Sequence, residues 1–154
     1  MFNILKNLSQ NFVHSPFAHR GYHDCNGSFE GGKGPENSRC SIIHAIQNGL
    51  IKGVLGQNMS VEDGYRAAQN CGLSLLAQLN AAISGDFQKF KRVIRIAGFV
   101  NATNTFEDHP KVVNGVSDLM VSVFGENGKH MRIALGATLP LGVAVEVEGL
   151  FELN

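Results

Sequence analysis

The chain has 154 residues, 44% hydrophobic and 17% charged, which suits one compact domain with a real core and excludes a disordered segment. Thirteen basic and thirteen acidic side chains cancel. A nucleic-acid binder shows a basic excess that competes for phosphates, so no nucleic-acid partner is expected.

Met1 to His14 is amphipathic and lacks a basic region followed by an apolar stretch. No run in the sequence is long enough to span a bilayer, so no membrane partner is expected. Cys25, Cys40 and Cys71 are an odd count without framework spacing, which points to a reducing compartment and a cytoplasmic address. Gly27, Gly31, Gly32, Gly34 and Pro35 mark residues 1–38 as loop-rich. Ser38 to Asn48 reads as a short helix, with Ser38 as its cap, Ile42, Ile43 and Ile46 on one side and Gly49 at its end.

The pattern sharpens after Gly53. An opening strand falls near Ile51–Leu55. Ser60 caps a helix whose first turn carries Glu62 and Asp63, where the helix dipole favours negative charge. Val61, Tyr65, Ala68, Gly72, Leu75, Leu79 and Ala82 recur along one face, and Gly85 ends the helix. Arg92 to Asn101 reads as a strand; Lys89, Lys91, Arg92 and Arg95 cluster at its start as solvated charge. A second helix begins near Asp108 and Pro110 and stops at Gly125, with Val112, Val116, Leu119 and Val123 inward. Strands follow at Met131 to Ala137 and Val143 to Leu153, joined by the turn Thr138 to Gly142. This order predicts an α+β fold with both helices packed on one face of a sheet.

Six segments carry a family resemblance: Ser60 to Ala68, Val93 to Asn101, Pro110 to Leu119, Val123 to Glu126, Lys129 to Arg132, and Leu139 to Glu148. In order and spacing they resemble the Rid (YjgF-like) family, in its chorismate-mutase-like subgroup, over residues 53–154. The resemblance implies a homotrimer with small-molecule pockets between subunits, no cofactor, and, in the best-studied branch, hydrolysis of reactive enamines and imines. It implies that Arg132 grips a ligand carboxylate, since a planar guanidinium offers two parallel donors. It further implies that Glu146 positions or activates the attacking water, that Asn114 lies near the same pocket, and that Arg132 and Glu146 sit on adjacent strands. Ala134 stands where the deaminating branch has cysteine. The family's opening strands, which supply a tyrosine and a serine, have no recognisable counterpart before Gly53, so the sheet is expected to lack them.

Ahead of that domain, Ala18 to Gly21, Gly34 to Ser38 and Ala45 to Gly49 resemble the start of glycerophosphodiester phosphodiesterases. That resemblance implies His19 as acid/base, Arg20 as phosphate contact and Glu36 as metal ligand, chemistry that suits a phosphodiester. The remaining acidic pair and second histidine of such a barrel site have no equivalent here. His23, Cys25, Cys40 and His44 form a weaker zinc alternative. The sequence therefore divides into a phosphodiesterase-like fragment, 1–52, and a Rid-like domain, 53–154. Its leading functional reading is a small-carboxylate-binding Rid protein, with imine hydrolysis as the activity if it is an enzyme; a non-catalytic assembly module and a phosphodiesterase remnant are the alternatives.

Overall fold

The computed structural model of the chain describes residues 23–24, 39–45 and 51–154, the first two stretches as backbone alone. Ser60 starts the first long helix as its sequence suggests: its hydroxyl accepts from the Asp63 amide at 3.1 Å and donates to the Asp63 carboxylate at 2.6 Å. The helix α1 runs Val61–Ala82. Its buried face, which takes in Gly64, Ala67, Ala68, Cys71, Gly72, Leu75, Leu76 and Leu79, is broader than the predicted stripe. Tyr65 stays half-exposed, and its hydroxyl donates to Asp118 at 3.1 Å.

The second helix, α2, spans His109–Phe124, with proline tolerated in its first turn and Gly125 at φ 59 ending it. It buries Val112, Val113, Gly115, Val116 and Met120. Where the two helices cross, glycine permits a close approach: a Cβ on Gly115 would stand 2.1 Å from the Tyr65 carbonyl oxygen.

Among the described residues, five strands form one sheet in the order β1-β2-β5-β3-β4. They are β1 His23–Asp24, β2 Arg39–Ala45, β3 Phe90–Val100, β4 Met131–Gly136 and β5 Val145–Leu153. β3 and β4 are parallel and joined through α2; every other pair is antiparallel. Both helices contribute to one apolar layer with the sheet, its largest buried side chains being Phe151, Leu55, Leu75, Leu79, Ile83, Ile96 and Met120. Full burial of a side chain of this size stabilises by about 1.5–3 kcal/mol. The predicted α+β arrangement, two helices on one face, is the arrangement found.

Two expectations near the start are corrected. Ser38 to Asn48 was read as a helix, yet Arg39–Ala45 is a strand paired along its whole length with β5, from Arg39 opposite Leu153 to Ala45 opposite Val147. The long alternating strand β5 has two backbone edges to satisfy, and β3 covers only one; a tertiary partner of that kind overrides weak helical propensity. Likewise, the sheet does not stop at β5, because β2 and β1 occupy the side where N-terminal strands were expected to be missing. The opening segment near Ile51–Leu55 is extended but not a full strand. Single bridges join Lys52 to Val143 and Leu55 to Ala102, and Leu55 is fully buried.

Candidate functional site

Strand pairing sorts the sheet into two faces. Val93, Ile96, Gly98 and Val100 of β3 lie level with Phe151, Gly149, Val147 and Val145 of β5, and these residues are buried beneath the helices. Their alternates face away, including the cross-strand pairs Phe99 with Glu146 and Ala97 with Glu148. The parallel β4 keeps the same sorting: Arg132, Ala134 and Gly136 lie level with Ile96, Gly98 and Val100. Arg132 therefore emerges on the helix side of the sheet.

On that side α2 lies beside β4, and polar groups tie the two together. An Arg132 guanidinium nitrogen donates to the amide oxygen of Asn114. Arg132 is exposed and Asn114 half-buried. Two residues before Arg132, His130 hydrogen-bonds Ser117 through Nε2 at 3.0 Å and the Gly128 carbonyl through Nδ1 at 2.6 Å. A carbonyl only accepts, so Nδ1 carries the proton and Nε2 accepts from the serine hydroxyl. Asn114 and Ser117 are three residues apart on one helix face, which makes them neighbours. Farther along, the His109 ring closes over Gly136, where a Cβ would approach Nε2 to 2.8 Å.

Burial holds the His130 imidazole below the usual histidine range; the Gly128 carbonyl opposes that shift and the Arg132 cation adds to it. The unfolded chain therefore binds a proton here more readily than the native one. The stability this neutral ring contributes is present above pH about 6.5 and is lost as pH falls through the lower, native value. The melting temperature of the wild type should thus drop on acidification below about pH 6.5 more than that of H130N, a difference read by thermal melts across a pH series. Equal acid sensitivity in the two proteins would remove His130 as a cause.

The opposite face is built differently. Lys91 and Arg92 of β3 meet Glu152 of β5 at 2.7 and 2.6 Å, and Arg95 meets Glu148 at 2.5 Å. The two cations hold the Glu152 carboxylate below the usual range. Lys91, Arg92 and Arg95, three of the four residues read from sequence as solvated charge, are thus cross-strand partners. Met131, Ile133 and Leu135 of β4 fall on this face and are 65%, 40% and 53% exposed.

Of the three predicted site residues, Arg132 and Asn114 come together. Glu146 does not join them within one chain: β3 stands between β4 and β5, and Glu146 projects from the other face of the sheet. The expectation of adjacent strands is corrected by this order. Ser117 and His130 were not singled out from sequence. The signal available was the two-residue step from His130 to Arg132, together with the helical step from Asn114 to Ser117. His19, Arg20, Glu36 and Cys25 lie outside the described residues, and His23, Cys40 and His44 are described only as backbone. Among the described side chains no group of three potential metal ligands converges, and no described helix is long and apolar enough to cross a membrane.

Two helices laid on one face of a mixed sheet, with a parallel β3-α2-β4 unit whose edge carries a tethered arginine, define an α+β protein of the chorismate-mutase-like class. The chain belongs to the YjgF/chorismate-mutase-like family, described as "putative endoribonuclease", whose pattern it matches over residues 40–151. It is 46% identical over 108 residues to Protein TCP17 of Trypanosoma cruzi, covering 69% of this chain and 67% of that one. Among solved structures it is similar to Atu1372 of Agrobacterium tumefaciens, a protein of unknown function (TM-score 0.71, 33% identity, 75% of this chain and 78% of that one). It is also similar to a Shewanella oneidensis protein described as a "putative endoribonuclease" (TM-score 0.70, 28% identity, 86% and 89% covered).

Proposed function

We propose that this YjgF-family chain is a cytoplasmic small-molecule-binding protein that assembles as a homotrimer and hydrolyses imines or enamines bearing a carboxylate. In this reading Arg132, positioned by Asn114, grips the ligand carboxylate. Glu146, on the other face of its own sheet, serves the pocket of a neighbouring subunit and assists the attacking water. The observation that carries the proposal is the exposed Arg132 guanidinium tethered by Asn114. The tether engages one of five N–H donors and leaves a planar fork to meet two carboxylate oxygens. Exposed Met131, Ile133 and Leu135 on the edge strand support self-association, because soluble monomers seldom leave such side chains grouped in water.

Light scattering coupled to size-exclusion chromatography is expected to give the mass of three chains. Ammonia release from an imine generated in situ from an amino acid is expected to exceed the buffer rate. A monomer with no rate above buffer would sink the proposal. Heat or a thermal shift with 2-oxo acids but no ammonia would instead favour a binding module that turns nothing over.

A further inference from the structure

Hydrolysis of an imine needs a proton acceptor beside the carbon that water attacks. Within one chain, Glu146 stands on the wrong face of the sheet from Arg132 to fill that role. On the side of Arg132 itself the described residues offer another acceptor. His130 precedes Arg132 by two positions and, like it, reaches α2; Ser117 lies one helical turn from Asn114, which tethers Arg132. The Gly128 carbonyl fixes the imidazole with its proton on Nδ1, so the Nε2 lone pair is turned toward the Ser117 hydroxyl at 3.0 Å, within the reach required of a general base. The Arg132 cation acts on the imidazole; next to the pair in sequence, Lys129 is engaged by Glu126 at 2.8 Å and Asp118 accepts from Tyr65.

We propose that Ser117 and His130 form a proton relay serving the ligand that Arg132 holds, a role resting on the carboxylate site proposed above. Water attacks the carbon of a protonated imine, a C–O bond forms, and the C=N π pair returns to nitrogen. One water proton passes to Ser117 Oγ as the serine proton passes to His130 Nε2, leaving a neutral carbinolamine and an imidazolium. The imidazolium then returns its proton through Ser117 to the amine nitrogen. The C–N bond breaks as the hydroxyl oxygen forms C=O; ammonia leaves, and the hydroxyl proton goes to solvent. His130 acts through Ser117 and is a positioning and relay residue; Ser117 takes the proton of the reacting water, which Glu146 of a neighbouring subunit orients in the scheme above.

The experiment compares wild type, S117A, H130N, E146Q and R132A, each checked for its melting temperature and oligomeric mass. Asparagine at position 130 keeps a donor for the Gly128 carbonyl but supplies no acceptor at the place of Nε2. Turnover is read as ammonia release from an imine made in situ by oxidation of alanine, and binding is read with pyruvate. S117A and H130N should slow turnover by about a hundredfold or more while pyruvate affinity holds, the loss typical of a missing general base. Wild-type turnover should fall as pH drops and the imidazole gains its second proton, and H130N should lose that acid limb, a readout that a merely structural tie would not move. Rates within about threefold of wild type in both variants, with the acid limb intact, overturn the relay. In that case loss of pyruvate binding in R132A still upholds the carboxylate site. Wild-type protein that binds pyruvate but releases no ammonia likewise overturns the relay alone, whereas protein that does neither overturns both.

Discussion

Valine at position 115 is expected to lower stability by more than about 4 kcal/mol, and alanine there by about 2–3 kcal/mol. A Cβ on Gly115 meets the Tyr65 carbonyl oxygen at 2.1 Å and the Gln69 amide nitrogen at 3.0 Å. Both are backbone atoms of α1, so no side-chain rotation relieves the clash and the helices must part. Parting them opens the rest of the crossing, where Gly64 lies against Leu55 and Val112, and Gly72 against Val116 and Leu119. Interiors packed at crystal density lose dispersion contacts as soon as such a gap opens. The branched valine adds volume on top of that shift, with an expected total above about 4 kcal/mol against the 5–15 kcal/mol a domain of this size holds. Intrinsic propensity predicts the opposite sign, since alanine in a helix interior is favoured over glycine by about 1 kcal/mol. Urea unfolding of wild type and G115A therefore decides between the two effects. A G115A midpoint at or above that of wild type would show that the helices do not approach as closely as described.

The parts of the fold legible in the sequence were those fixed by neighbouring residues. Ser60 caps α1, Pro110 sits in the first turn of α2 and Gly125 stops it because each acts on backbone groups within a few positions. Arg39–Ala45 reads as a helix because its hydrogen-bond partners lie more than a hundred residues away in β5, and the β-branched Ile42 and Ile43 suit a strand as readily as a helix side. Legibility of the site divided in the same way. Arg132 and Asn114 were found through family resemblance, and they meet because α2 crosses from β3 to a parallel β4, a connection that lays the helix over the two strands it joins. The separation of Glu146 from Arg132 was not legible. Alternation tells which residues share a face within a strand, but not which edge of β3 the returning β5 will take. That choice placed β3 between the two residues.

Arginine 132 gives the second large effect. R132A is expected to weaken binding of a 2-oxo acid by about a hundredfold or more and to leave the fold intact. The side chain is exposed, and substitution at such a position usually changes stability by no more than about 0.5 kcal/mol. Each hydrogen bond to a charged group contributes about 1.5–3 kcal/mol, so a bidentate pair lost from a partly shielded site costs about 3 kcal/mol, or two decades in the dissociation constant. R132K keeps the charge but not the fork, and should recover only part of the loss. Asn114 touches the guanidinium and in this scheme not the ligand, so N114A should weaken binding by about tenfold through loss of alignment. The order wild type, N114A, R132K, R132A can be read by calorimetry with one ligand. If the amide of the same acid, which carries no negative charge, binds wild type as tightly as the acid does, the guanidinium is not the group that recognises it. Equal affinity of R132A and wild type for the acid would move the carboxylate contact elsewhere in the family fold.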